Sequence, residues 1–183
     1  MNYEWQPKPT ILSRTDWKAA SASGCSGSNS KKYIIVHHSG DDNDAIAKVF
    51  GNDEKGFMKR IQEIHMGQGW CDIGYNYGIG VNGTILDGRN DNVTGGHATG
   101  YNSSAVGVFV HGNYDIRSFK SIQEDSLVNL LSWLCYIYNI SPVNILGHQD
   151  VANKSCPGNN IYRRLNTIKD KVTQRLHPDI LPE

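Results

Sequence analysis

The residues with the clearest potential for chemistry lie in the segment 147–158, where His148 and Cys156 are eight positions apart. Neutral imidazole and thiolate are both ligands of borderline metals such as zinc. Lys154 lies between them and could bring a positive charge to the same centre. A His and a Cys alone are weak evidence for a metal site, so a third ligand is needed from elsewhere in the chain.

A third ligand is offered by His37 or His38, which end the apolar run 32–36. This run predicts a strand, and open α/β sheets commonly place reactive groups where strands end. Successive strand residues face opposite sides, so only one of the two histidines can reach a given site, and the pattern leaves open which one. Two His and one Cys would leave a tetrahedral zinc with one open position for water, the arrangement of catalytic sites.

Length and composition predict one domain without a polyanionic partner. The chain has 183 residues, 38% of them hydrophobic, and eighteen basic residues balance eighteen acidic ones. This balance suggests neither a nucleic acid nor a membrane as partner, and we expect a monomer. No apolar stretch approaches twenty residues, and the N-terminus lacks the features of a secretory signal. We therefore expect a protein made in the cytoplasm.

The four cysteines show no closely spaced pair. Without a signal peptide, reduced thiols are the expected state. Cys135 lies in an apolar helical stretch and is predicted to fill the core, and Cys25 is predicted to be a bystander in a Ser/Gly-rich loop. Only Cys156 has neighbours that suggest a ligand.

The order of predicted elements indicates an α/β domain with a mixed sheet flanked by helices. Strands are predicted at 32–38, 105–111 and 145–148, a hairpin with an Asn82-Gly83 turn at 75–87, and helices at 44–66, from 121 through Tyr138, and at 160–176. A capping box at 121–124 marks the start of the second helix. We divide the chain into an N-terminal extension and loop (1–30), a catalytic domain (31–176), and a C-terminal tail or linker remnant (177–183).

Four motifs in the chain resemble the type-2 N-acetylmuramoyl-L-alanine amidases, whose fold is shared with peptidoglycan recognition proteins and amidase-type phage lysozymes. The motifs lie at 36–39, 68–77, 96–102 and 147–157. The similarity runs from about residue 32 to residue 175, and 11–17 also resembles the segment that precedes the domain in recognition proteins.

The resemblance implies that His37, His148 and Cys156 bind one Zn²⁺ per chain, and that Tyr75 and Lys154 are the catalytic side chains beside it. The related cytosolic recycling amidases carry a Glu in the strand matching 106–112. Phe109 and His111 stand there in this chain, so the Tyr/Lys version of the site is favoured.

The Gly-rich loop 96–102 resembles the family's substrate groove, which makes His97 and Asn102 predicted substrate-binding residues. The alternative for His97 is a structural hydrogen bond. His65 and His111 are expected to be structural. Nothing after His37 matches the short-spaced disulfide of many recognition proteins, which favours a bacterial or phage protein over an animal one.

The predicted function is zinc-dependent hydrolysis of the amide between N-acetylmuramic acid and L-alanine in bacterial peptidoglycan, as a phage or prophage endolysin acting on the wall after release. Zinc would activate water and polarise the carbonyl, while Tyr75 and Lys154 would stabilise the oxyanion. One alternative is a metal-free cysteine hydrolase using Cys156 and His148. Another is a non-catalytic peptidoglycan-recognition module. Each residue also has a simpler reading: Cys156 as core filler, Tyr75 as strand packing, and Lys154 as a solvated loop lysine.

Overall fold

The computed structural model describes residues 2–180, which form a single six-stranded mixed sheet flanked by helices. The strands are β1 (Ile11–Leu12), β2 (Tyr33–His38), β3 (Tyr77–Ile79), β4 (Ile85–Asp87), β5 (Ala105–Val110) and β6 (Ile145–Gly147). They lie in the order β1-β4-β3-β5-β2-β6, and every neighbouring pair is parallel except the β3–β4 hairpin. The predicted α/β class is confirmed.

The two faces of the sheet have different roles. On one face Ile34 and Val36 of β2 join the largest hydrophobic cluster, together with alternate residues of β5. Ile35 belongs to a different cluster, so side chains alternate between faces as strand geometry requires. His37 shares the face of Ile35, and the functional side chains therefore gather on the side away from the main core.

Five helices pack around the sheet: α1 (Ala45–Phe50), α2 (Glu54–Gly67), α3 (Ser121–Tyr138), α4 (Asn159–Tyr162) and α5 (Leu165–Leu176). Buried residues of α3 and α5 complete the largest cluster. Phe57, Met58 and Ile61 of α2 pack with Trp17 and Phe109 on the opposite face. The core thus has two halves separated by the sheet.

The single helix predicted over 44–66 is wrong in its boundaries, because the chain forms α1 and α2 with a break between them. Gly51 adopts φ 54° and ψ −118°, outside the helical region. Asp53 then caps α2 by accepting a hydrogen bond from the Gly56 amide at 2.9 Å. The apolar spacing continues across this break, which is why periodicity alone did not reveal it.

The helices predicted at 121–138 and 160–176 are present with local differences. α3 begins at Ser121 with Lys120 as its N-cap, and the Gln123 side chain accepts from the Lys120 amide at 3.1 Å. The predicted capping box was therefore placed one residue late. The last predicted helix is divided into α4 and α5 by a turn at 163–164.

Residues 2–30 form part of the folded unit. β1 pairs with β4, and the buried Trp17 indole donates to the Asp87 carbonyl at 2.8 Å. Cys25 forms a disulfide with Cys71, so the prediction of reduced thiols is wrong for this pair. The two cysteines are 46 positions apart, and tertiary packing, including the hydrogen bond from the Ser23 amide to the Cys71 carbonyl, brings them together.

The predicted tail 177–183 is described as far as Ile180. The His177 ring packs edge-on against Tyr3, with ring centroids 5.3 Å apart. The last three residues of the predicted tail lie outside the described part. Among residues 2–180, no helix is long and apolar enough to span a bilayer.

Candidate active site

The two adjacent histidines of β2 separate as strand alternation predicts. The His37 ring lies 4.5 Å from the His148 ring, centroid to centroid. The His38 Nδ1 instead accepts from the Tyr114 amide at 3.0 Å. Tyr114 belongs to the main core on the other face of the sheet. Of the two, His37 is therefore the one that joins the candidate site.

His148 and Cys156 reach the same place through β6 and the loop after it. β6 pairs with β2 so that Gly147 is the partner of Val36, which brings His148 beside His37. The Gln149 amide donates to the Cys156 carbonyl at 2.8 Å and closes the loop. Asp150 braces the start of this loop by accepting from the Gly147 amide at 2.8 Å.

Donor atoms of His37, His148 and Cys156 all lie within 4.8 Å of one another. Cys156 Sγ is 3.5 Å from His37 Nδ1. In a tetrahedral zinc site with bonds of roughly 2.3 Å to sulfur and roughly 2.0 Å to nitrogen, those two ligand atoms would be about 3.5 Å apart. The donor types and their spacing therefore fit a zinc ion, with a fourth position left for water or substrate.

The protonation of this cluster also matters for metal binding. Burial, reinforced by His97 and His148, lowers the pKa of His37 well below its usual range. A neutral imidazole with a free lone pair is the form that binds metal. Burial raises the pKa of the Cys156 thiol to about 12. With this pKa the thiol stays protonated near neutral pH, whereas a bound metal would favour the thiolate.

Tyr75 lies in the loop before β3 and packs beside the cluster of His37, His148 and Cys156. Its ring stacks on Phe109 at 4.2 Å and lies 5.2 Å from the His37 ring, centroid to centroid. Burial raises the pKa of the phenol further above its usual value. Tyr75 therefore keeps its proton at neutral pH and can act as a hydrogen-bond donor.

Lys154 lines the same cavity and belongs to the loop that carries Cys156. This cavity has a volume of about 370 Å³ and also contains the three candidate ligands and Tyr75. It adjoins a cleft of about 710 Å³, and the two share His97, His148 and Lys154 in their walls. His37, His148 and Cys156 therefore lie beside the larger cleft.

His97 and Asn102 both line the cleft, and both also form internal hydrogen bonds. The His97 ring lies between His37 Nε2, at 2.9 Å from its Nδ1, and the Ala105 carbonyl, at 3.2 Å from its Nε2. Asn102 accepts from the amides of His97 and Ala98. The predicted role of both residues in substrate binding stays a prediction.

Three residues that line the cavity or the cleft were not predicted from the sequence as site residues. His65, expected to be structural, lines the smaller cavity, accepts from the Gly74 amide at 2.9 Å and lies 5.7 Å from the Tyr75 ring. Trp70 is 41% exposed and lines both cavities. Arg89 lines the larger one, where its guanidinium donates to three carbonyl groups. For Trp70, the sequence signal that could have predicted a place in the site is a large aromatic residue directly after a glycine, Gly69.

The Cys25–Cys71 disulfide supports this wall of the cleft, because Cys71 follows Trp70 and lines the larger cavity. Arg14 and Asp72 form an ion pair at 2.8 Å beneath the same loop. The N-terminal segment therefore anchors the rim that carries Trp70.

Comparison with known proteins gives a consistent picture. The family model for N-acetylmuramoyl-L-alanine amidases (Amidase_2) matches residues 27–159. Peptidoglycan-recognition protein SC2 of Drosophila melanogaster is 37% identical over 161 residues, covering 86% of this chain and 85% of its own. The endolysin of Klebsiella phage KP32 is 35% identical over 111 residues, covering 58% of this chain and 72% of its own.

Solved structures agree with the sequence matches. The N-acetylmuramoyl-L-alanine amidase LysC from Clostridium intestinale superposes with a TM-score of 0.73 at 33% identity, covering 90% of this chain and 98% of its own. Drosophila PGRP-LB gives a TM-score of 0.74 at 31% identity, covering 86% of this chain and 93% of its own. A PGRP-LB variant in complex with tracheal cytotoxin gives 0.73 at 30%, with the same coverage.

Proposed function

Because the chain belongs to the N-acetylmuramoyl-L-alanine amidase family, we propose that it is a zinc-dependent enzyme that hydrolyses the amide between N-acetylmuramic acid and L-alanine in bacterial peptidoglycan. We further propose that it acts as a phage or prophage endolysin. The observation that carries the catalytic part is the cluster of His37, His148 and Cys156 in the smaller cavity, which Tyr75 and Lys154 also line.

Each residue has a distinct part in the reaction. His37, His148 and Cys156 hold the metal, which when bound supplies Lewis acidity for the scissile carbonyl and the attacking water. Tyr75 keeps its phenolic proton and donates a hydrogen bond to the oxygen on which negative charge develops. Lys154 adds a positive charge at the same oxygen. Fixed donors of this kind stabilise the transition state more than the substrate, and so they raise kcat.

A metal-free cysteine hydrolase is less well supported. It would need Cys156 as a thiolate and a basic histidine beside it. Burial raises the pKa of the Cys156 thiol to about 12 and lowers the pKa of His148. Both shifts oppose transfer of the thiol proton to the imidazole, so the site suits a metal ligand better than a nucleophile.

A recognition module without activity would keep the cleft and dispense with the metal. The similarity to peptidoglycan-recognition proteins keeps this alternative open. The complete set of two histidines and one cysteine argues for catalysis, because a binding cleft alone has no need of three converging donors beside it. The endolysin role draws on the relatives among phage proteins, such as the endolysins of Klebsiella phage KP32 and Enterobacteria phage T3.

Digestion of purified peptidoglycan tests the proposed reaction. We expect new N-terminal alanine in the soluble products, loss of release after chelation, and recovery on addition of zinc. The Cys156→Ser protein is the matched control and should release nothing. New reducing ends would identify a glycosidase, chelator-resistant release would favour the cysteine hydrolase, and wall binding without release would favour the recognition module.

Expression inside bacteria tests the endolysin role separately. We expect cells producing the protein to remain intact until their membrane is permeabilised, and then to lyse rapidly. Cells producing the Cys156→Ser protein should not lyse under the same treatment. Absence of lysis, together with release of alanine ends from purified walls, would retain the amidase and reject the endolysin role.

A further inference from the structure

The hydrogen bonds of the His97 ring determine which of its nitrogens carries hydrogen. His97 Nε2 lies 3.2 Å from the Ala105 carbonyl oxygen on β5. A carbonyl oxygen can only accept, so Nε2 must be the donor in this contact. In the neutral imidazole the other nitrogen, Nδ1, then holds a lone pair and can only accept.

The same reasoning extends to His37. His97 Nδ1 lies 2.9 Å from His37 Nε2, so His37 Nε2 carries hydrogen and donates to it. The lone pair of His37 is then on Nδ1, the nitrogen that lies 3.5 Å from Cys156 Sγ. For His37 to bind a metal together with Cys156, its lone pair must be on Nδ1.

We propose that His97 is a positioning residue that fixes the tautomer and ring orientation of His37. The hydrogen-bond chain runs from the Ala105 carbonyl through His97 to His37 Nε2 and leaves the lone pair of His37 on Nδ1, the nitrogen that would bind the metal. This inference rests on the proposed function for the identity of the ion. Partners of this outer kind commonly change metal affinity by about ten- to a hundredfold.

The surroundings of His97 are shaped for an imidazole ring. A Cβ on Gly107 would lie 2.6 Å from His97 ring carbons, and one on Gly95 would lie 2.9 Å from the ring. Both positions therefore require glycine for the ring to fit. Asn102 holds the loop by accepting from the His97 amide at 2.7 Å and from the Ala98 amide at 2.9 Å. The close approach of Gly95 and Gly107 and the hydrogen bonds to the Asn102 side chain thus keep the ring between Ala105 and His37.

Nitrogen-15 NMR of the full chain without metal reads the tautomer directly. In the wild-type protein, we expect His37 to carry its proton on Nε2. In His97→Leu, which removes the acceptor, we expect a mixture of both tautomers at His37. A wild-type His37 protonated on Nδ1 would overturn the proposal. This measurement requires neither zinc nor activity, so it remains interpretable if the proposed function fails.

Zinc affinity, measured by competition with a chelating dye, provides the second test. His97→Leu should bind zinc about ten- to a hundredfold more weakly than the wild type. His97→Gln is the matched control, because its amide oxygen can accept from His37 while its amide nitrogen donates to Ala105. Its zinc affinity should fall by less than about tenfold, below the range expected when an outer partner of a metal ligand is lost.

The two variants also separate positioning from substrate contact. Wild-type zinc affinity in His97→Leu, with a raised KM on a muramyl peptide, would make His97 a substrate contact and reject the positioning role. Equal loss of affinity in His97→Gln and His97→Leu would show that only the packing of the ring matters, and would also reject it. Should His97→Leu fail to fold, the tautomer in the wild type and the zinc affinity of His97→Gln decide the question.

Discussion

His37 and His111 are two buried histidines at the ends of neighbouring parallel strands, and they differ in what surrounds them. His37 is 1% exposed and lies against His97, His148 and Cys156. His111 is fully buried and stacks on Phe57 with ring centroids 4.3 Å apart. Neither ring nitrogen of His111 has a hydrogen-bond partner among residues 2–180.

Burial lowers the pKa of both histidines, for His111 to about 3, so a depressed pKa does not by itself mark a functional residue. What distinguishes His37 is the convergence of other donor atoms and an adjoining cleft. His111 is equally buried, but its surroundings are apolar. Its ring nitrogens have no hydrogen-bond partner among the described residues, so their burial is unfavourable for stability. The following predictions test this contrast, beginning with the largest effect.

Replacing a proposed metal ligand, such as His37, should abolish zinc binding and amidase activity. His37→Ala and Cys156→Ser should lose bound zinc and amidase activity together, because two remaining donors cannot complete the site. Metal content measured on the purified proteins, alongside release of alanine ends, checks this outcome. His38→Ala is the matched control on the same strand and should keep its zinc while losing stability, since the His38 ring bonds to the Tyr114 amide. The opposite pattern for the two histidines would reject the ligand assignment.

Changing the neighbours of the metal should reduce the rate without affecting binding. Tyr75→Phe and Lys154→Ala should keep zinc and lower kcat by about a hundredfold each, the effect of losing an oxyanion donor. kcat/KM should fall about as far, with little change in KM. Tyr75→Phe retains the ring that stacks on Phe109, so folding should be unaffected. Steady-state kinetics on a soluble muramyl peptide decides, and an unchanged kcat in zinc-loaded samples would leave the metal as the sole catalytic group.

Acid should destabilise the protein through its buried histidines. Burial lowers the folded-state pKa of His111 to about 3, and of His97 and His65 to about 4, whereas the unfolded chain has ordinary histidines near 6.5. Below pH 6.5 the unfolded state therefore binds more protons than the folded state. Stability is present above this pH and is lost as the pH falls towards 4, by about 1.4 kcal/mol per pH unit for each such histidine. Urea unfolding of the metal-free protein between pH 7 and 4.5 measures this loss of stability. A free energy of unfolding that does not change over this pH range would contradict the lowered pKa values of the buried histidines.

Replacing the core histidine should have the smallest effect, and in the opposite direction. His111→Phe keeps an aromatic ring against Phe57 and removes two buried nitrogens without partners, so we expect stabilisation of about 1 kcal/mol at pH 7. The acid dependence of unfolding should also become shallower, because one proton-binding group is gone. Zinc content and activity should not change. Destabilisation beyond about 1 kcal/mol would mean that overpacking against Gly78 outweighs the gain.

Much of the fold could be predicted from the sequence because its signals are local. The Asn82-Gly83 pair predicted the hairpin of β3 and β4, which is present. Of the pair only Gly83 has a positive φ, 84°, and its amide donates to the Gly80 carbonyl, so the connection is one residue longer than the two-residue turn that Asn-Gly favours. Alternation in β2 predicted that His37 and His38 would face different sides. The break at Gly51 and the Cys25–Cys71 bridge were missed, since neither depends on hydrophobic period or on short cysteine spacing.

The sequence by itself determined the residue types of the candidate site, since two His, one Cys, Tyr75 and Lys154 were identified from motifs in the chain. Only the tertiary structure decided their arrangement. The pairing of β6 with β2 brings His148 and Cys156 to His37, across more than a hundred positions of sequence. The role inferred for His97 also needed the fold, because a tautomer depends on the atoms facing each ring nitrogen. Those atoms come from two different strands and a loop, and the linear sequence gives no measure of the distances between them.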